Sequence, residues 1–252
     1  MIPDFVVGPS ILMYHSIADC SDDPYAVPAG KFQDQISWLL DHEFEPVPLS
    51  TIVDLLKRGD YHSLKKKVVF TFDDGYRDFV TAALPTLLNH KAPATVFIVA
   101  GMLGEKASWS GNSKHVQLMA EDEIRHIRSQ SISLGSHTMT HTDLTTLHQE
   151  ELNLQLTESC ARLKDLGESF YALAYPWGQW SSQILDAVKA SGYECAVTVG
   201  GEMRQDRIDL YHLPRLTMRA DIDLKSFQAL FDWTIVKRVR KVGSILKKFF
   251  SQ

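Results

Sequence analysis

Along the chain, short apolar runs alternate with longer stretches whose hydrophobic positions recur at helical spacing. Residues 10–17 (SILMYHSI) form a run suited to a strand, and 31–43 (KFQDQISWLLDHE) carry Phe32, Ile36, Leu39 and Leu40 at helical intervals. Residues 49–60 (LSTIVDLLKRGD) predict a helix with Ser50 as its N-cap and Gly59 at its end. Val68, Val69, Phe70 and Phe72 predict a buried strand that stops in a turn at Gly75. A helix through 78–90 and a strand at 94–100 come next. A helix at 121–130 places acids in its first turn, where the helix dipole favours them. A strand at 131–137 then ends on a histidine. A long amphipathic helix at 148–167, a strand at 171–176, a helix at 181–192 and a strand at 195–200 complete the pattern.

Such alternation within 252 residues implies a parallel sheet, either barrelled or doubly wound. Histidines and aspartates fall just beyond the C-terminal ends of several different strands, as in α/β barrels. No GxGxxG or Walker A pattern follows any strand, which disfavours a nucleotide-binding open sheet.

Composition changes this picture little. With 44% hydrophobic and 23% charged residues, the chain reads as a globular enzyme without extensive disorder. The net charge of −5 argues against nucleic acid as a partner, because phosphate contacts need a basic face. Cys20, Cys160 and Cys195 form no CxxC unit, so neither a disulfide framework nor a thiolate zinc site is indicated. The amino terminus lacks the pattern of a secretory signal. No run approaches the roughly 18 apolar residues of a membrane-spanning helix. With Met1 as the start, the expected location is the cytoplasm.

Charge matters most at the end of the chain. Residues 235–252 hold six basic residues and no acid, leaving 20 basic against 31 acidic residues elsewhere. Ile235, Val239, Val242, Leu246 and Phe249 give this segment one apolar stripe. It is expected to be a basic amphipathic helix, packed on the body, docked to a partner, or lying on an anionic membrane surface. The expected organisation is a catalytic domain over residues 1–222 and this terminal region over 223–252.

Three short segments carry candidate chemistry. In FTFDDGY (70–76), Asp73 and Asp74 stand side by side at the mouth of a buried strand, where like charges need a cation or a proton. In SHTMTH (136–141), His137 and His141 are four residues apart and, on a helical backbone, could grip one metal ion. By itself this spacing also describes two ordinary surface histidines. One aspartate with two histidines leaves metal positions open for water and substrate, and the second aspartate is then available as a base.

Together with AYPWG (174–178), these segments resemble the first three motifs of the polysaccharide deacetylase family, also called carbohydrate esterase family 4 or the NodB-homology domain. The similarity extends over roughly residues 8–217. It implies a distorted (β/α)7-type barrel and a divalent metal, most simply Zn2+, with Co2+, Ni2+, Fe2+ or Mn2+ able to use the same ligands. It also implies hydrolysis of N-acetyl groups on a glycan. The implied roles are Asp73 as general base, Asp74, His137 and His141 as metal ligands, and the Trp177 backbone N–H as an oxyanion donor. Where many members carry an arginine in the third motif, this chain has Ala174, and Arg215 is the candidate replacement beside the base. The general acid is expected at His15, since the opening M-Y-H strand resembles the poly-β-1,6-N-acetylglucosamine deacetylase subgroup. His212 in LYHL is the alternative. Trp109, Trp177 and Trp180 are candidate sugar-stacking surfaces.

Missing secretion signals and the basic tail point to a lipid-linked or growing surface-polysaccharide precursor at the inner membrane face. Two other readings remain: hydrolysis of a non-sugar amide on the same fold, and an idle glycan-binding relative.

Overall fold

In a computed structural model of the chain, every strand ladder among the described residues is parallel. The structure describes residues 10–19, 22–109, 116–200 and 208–231. The first elements are β1 (Ser10–Tyr14), β2 (Ser16–Ile17), β3 (Ala26–Val27), α1 (Ala29–Asp41), β4 (Glu45–Pro46), α2 (Leu49–Lys57) and β5 (Lys67–Phe72). A π-helical turn at Phe79–Ala83 leads into α3 (Leu84–Asn89). Then come β6 (Ala94–Ile98), α4 (Glu121–Arg128), β7 (Ile132–Ser136), α5 (Gln149–Asp165) and β8 (Ala172–Ala174). The last are α6 (Ser182–Ala190), β9 (Cys195–Val197), β10 (Leu216–Thr217) and α7 (Leu224–Ala229).

The main sheet runs β10-β1-β5-β6-β7-β8-β9, with β4 added beside β5. Single bridges, Val197 to Leu213 and Gly200 to Arg215, tie β9 to the residues just before β10 and draw the two edges together. The result is the distorted (β/α) barrel of the NodB-homology type. Side chains alternate along each strand. Ile11, Val69, Phe97, Ala174 and Val197 share an inner cluster, which α2 joins through Ile52 and Val53. Leu12, Phe70, Val96, Leu134 and Leu173 pack outward among the helices. With both faces buried, the strands need the near-continuous apolar runs seen in the sequence.

Three local expectations are corrected. The run 10–17 is two strands broken at His15, which lies between β1 and β2. Ser50 lies within α2 and does not cap it: the helix opens at Leu49 behind Pro48, whose extended backbone and missing N–H suit that boundary. The strands at 131–137 and 195–200 end at Ser136 and Val197, so His137 and Thr198 sit in the loops above the barrel. Beyond residue 222, Asp223 caps α7 by accepting from the Ser226 N–H at 2.7 Å, and Phe227 packs edge-on against Trp38 of α1. The expected basic helix at 235–252 lies outside the described residues. Among the described residues, no helix is long and apolar enough to cross a membrane.

Candidate active site

Because the strands are parallel, their C-terminal ends open on one face, and the chemistry-bearing residues follow those ends. His15 comes after β1, Asp73 and Asp74 after β5, His137 after β7, and Trp177 shortly after β8. All of these line one cavity of about 520 Å³, together with His141, Tyr76, Trp109 and Tyr175.

Asp73 is held from below by Arg215. The guanidinium donates to both carboxylate oxygens, Nη1 to Oδ1 and Nη2 to Oδ2, each at 2.6 Å. It also donates to Thr71 Oγ1 and the Thr198 carbonyl, and it lies over the Phe97 ring. Arg215 is fully buried inside the barrel. Burial alone would raise the Asp73 carboxyl, but Arg215, then His137, outweigh it and hold the group below the usual carboxylate range. The room for this arrangement comes partly from Gly135: a Cβ there would come within 2.4 Å of Phe97, the ring beneath the guanidinium.

Asp74 faces the other way. Its Oδ1 lies 3.5 Å from His137 Nε2 and 3.2 Å from His141 Nε2, yet this buried oxygen accepts no hydrogen bond. His137 Nδ1 is bonded at 2.8 Å to the Ala174 carbonyl. As donor there, it leaves a lone pair on Nε2, aimed at a carboxylate. Burial is the main reason the His137 pKa falls to about 4, against the opposing pull of the Asp73 and Asp74 charges. Burial would likewise raise the Asp74 carboxyl, but His141 and His15 reverse that and depress it. Ligand atoms of Asp74, His137 and His141 all lie within 4.8 Å of one another. An unpartnered carboxylate oxygen facing two imidazole nitrogens in a buried pocket fits a divalent cation.

The loop geometry departs from the helical HxxxH expectation. His137 follows β7, and His141 ends a turn in which Thr138 (φ 67°) and His141 (φ 58°) are both left-handed. Thr138 Oγ1 accepts from the His141 N–H, while Gln155 of α5 takes the N–H groups of Met139 and Thr140. The turn, rather than an α-helical face, brings the two imidazoles together. Asp74 (φ 69°) and Trp177 (φ 59°) are left-handed as well. Four non-glycine residues held this way, one of them β-branched, cost on the order of 1–3 kcal/mol each. At Gly178 a Cβ would meet Val199 at 2.8 Å, so the PWG turn sits tightly on the loop after β9.

His15 lies close enough to both aspartates to favour their charge, and its buried Nδ1 has no partner. His212 does not line the cavity: it packs against Trp180, ring centroids 4.1 Å apart, and its pKa is lowered by burial. Of the three tryptophans, Trp109 has one face stacked on His141 and Trp177 presents its edge to the same imidazole. Trp177 is 54% exposed at the cavity mouth. Sequence reading missed Ser16 and Asp78, whose hydrogen bond pins β2, and with it His15, to the turn beyond Asp74. It also missed Gln155. Neither contact has a local signal, because each joins residues far apart in the chain.

A barrel with these side chains at its C-terminal rim defines a hydrolase class whose site could hold a metal. The family model for polysaccharide deacetylase matches residues 60–196, more than half of the chain, and the chain belongs to that family. It is 27% identical over 228 residues to the Bacillus subtilis protein YxkH, covering 88% of this chain and 75% of that protein. It is 26% identical over 209 residues to a Staphylococcus aureus poly-β-1,6-N-acetyl-D-glucosamine N-deacetylase, covering 78% and 69%. The structure of IcaB from Ammonifex degensii superposes with a TM-score of 0.74 at 22% identity, over 90% of this chain and 96% of that one, and so shares the fold.

Proposed function

We propose that the chain is a divalent-metal-dependent hydrolase that removes N-acetyl groups from amino sugars of a polysaccharide or lipid-linked glycan intermediate. One observation carries the reading. A cation-paired carboxylate, an unpartnered histidine and an Asp–His–His group with an unpartnered carboxylate oxygen share one cavity. The name of the matched Staphylococcus aureus relative supports a polymer of N-acetylglucosamine as the substrate class.

Asp74, His137 and His141 would hold the ion, for which Zn2+ is the simplest choice. Bound there, it supplies a Lewis acid for the acetamide carbonyl and lowers the pKa of water. Asp73, kept ionised by Arg215, takes the proton of the attacking water on a carboxylate oxygen. Arg215 is a positioning residue: its two-point grip fixes the plane of that carboxylate. The Trp177 backbone N–H donates to the oxyanion as it develops. His15 gives a proton to the departing amine nitrogen, so acetate and the free amino sugar leave. His212, away from the cavity, has no step of its own.

The basic stretch 235–252 is the proposed contact with an anionic membrane, on the strength of its sequence pattern. The test of the main reading is acetate release from N-acetylglucosamine oligomers by the zinc-loaded protein. Release that disappears with a chelator and in Asp73→Asn supports it. No release from any such oligomer overturns it.

A further inference from the structure

We infer that the indole N–H of Trp109 is a substrate anchor, donating a hydrogen bond to a hydroxyl oxygen of the sugar ring that carries the acetamide. The inference rests on the deacetylase reading above and deepens it. Of the buried side-chain polar atoms left without a partner among the described residues, four belong to residues lining the cavity: His15 Nδ1, Asp74 Oδ1, His141 Nδ1 and Trp109 Nε1. The first three can take up a proton or a cation. The indole nitrogen can do neither, because it is a donor only. An unmade bond at a buried donor is unfavourable enough to need a reason. No residue assigned to the reaction supplies an acceptor. The Tyr76 phenol, pushed up by burial and the Asp74 charge, lies close enough to feel the indole N–H, yet the N–H completes no hydrogen bond to it. On the proposed roles the acetamide carbonyl would be engaged by the Trp177 N–H and by the ion that Asp74, His137 and His141 would hold, which leaves a ring hydroxyl as the acceptor for the indole.

Trp109 is packed on two sides. Its ring lies parallel to His141, centroids 4.3 Å apart at 11°. It packs on a small apolar cluster formed by Tyr76, Ala107 and Leu118. The two arms that carry this cluster pair through Lys106 and Gln117, and the Met119 N–H donates to the Gly75 carbonyl beside Asp74. The segment carrying the donor is thereby tied to the backbone beside Asp74. A site built around a fixed donor rejects analogues that lack the matching oxygen.

The test is Trp109→Phe, which keeps an aromatic face for His141 and removes the N–H. Calorimetry on the zinc-loaded proteins measures binding of the deacetylated glucosamine oligomer and of its monodeoxy analogues. Zinc content is measured by dialysis and kcat/KM on the N-acetylated oligomer. The wild type is expected to bind one monodeoxy analogue about tenfold more weakly than the parent oligomer. Trp109→Phe should bind parent and that analogue equally, with kcat/KM down about tenfold and zinc content unchanged. If the variant distinguishes the analogue as the wild type does, or loses zinc in parallel with binding, the anchor role is overturned while the deacetylase reading stands. If the wild type neither binds nor deacetylates the oligomer, the deacetylase reading fails first and takes the anchor with it.

Discussion

Two adjacent aspartates in this molecule occupy opposite environments. Asp73 is paired on both oxygens, each receiving a guanidinium N–H from Arg215, which is buried inside the barrel. Asp74 is equally buried, yet its Oδ1 has no donor and faces two imidazole nitrogens. One carboxylate is neutralised by a side chain of the protein, and the other faces the two imidazoles that with it could hold a metal ion. Identical side chains one residue apart thus acquire different chemistry from the strands beneath and the loops beside them. The left-handed Asp74 backbone makes the divergence, turning its side chain toward β7 while that of Asp73 stays with β10.

The largest effect should come from breaking the paired side. Asp73→Asn is expected to lower kcat for acetate release by about 10²–10⁴-fold, the range of a lost general base, with folding intact by circular dichroism. Arg215→Met should be costlier to the fold, since it leaves a buried carboxylate unpaired. A loss of about 3–5 kcal/mol in denaturant unfolding is expected. Arg215→Lys should recover only part of this, because an ammonium cannot make the two-point contact. On the proposed roles, His15→Ala should lower kcat roughly a hundredfold or more, with the drop shrinking for leaving amines of lower pKa. His212→Ala should leave kcat within about twofold on the same assay. The comparison can be sharpened further through Gly135→Ala, which presses on Phe97 under the guanidinium. It should destabilise by about 1–3 kcal/mol and lower activity without changing metal content. The open side predicts a pH effect. Unfolded His137 would titrate near 6.5 but near 4 when folded, so the unfolded chain takes up the proton first. Metal-free protein should therefore lose stability as pH falls from about 6.5 toward 4, measured by urea midpoints, and zinc should steepen the loss by competing for the same nitrogens. The smallest effect is expected from removing 235–252: unchanged acetate release, with reduced sedimentation on vesicles containing anionic lipid.

Much of this was legible in the sequence because it is local. Apolar runs broken by Asp, His or Pro at their ends announce strands with chemistry at the rim, and FTFDDGY, SHTMTH and AYPWG each sit on one such end. Arg215 could be named as a candidate only by asking what replaces the arginine absent at Ala174. Its contact with Asp73 depends on β10 pairing with β1, a two-residue strand with no periodic signal. The geometry of the histidine pair was misread, because four-residue spacing suggests a helix while the actual turn needs left-handed Thr138 and support from Gln155. The packing of Trp109 on His141 was not readable either, since it depends on how residues 104–109 and 116–119 pair beside Asp74.

The division of labour between the two aspartates is tested most directly by metal content, measured side by side in Asp73→Asn and Asp74→Asn after zinc loading and dialysis. Asp73→Asn is expected to retain about one zinc per chain while releasing acetate about 10²–10⁴-fold more slowly, whereas Asp74→Asn retains none. Zinc lost from Asp73→Asn and kept by Asp74→Asn would contradict it.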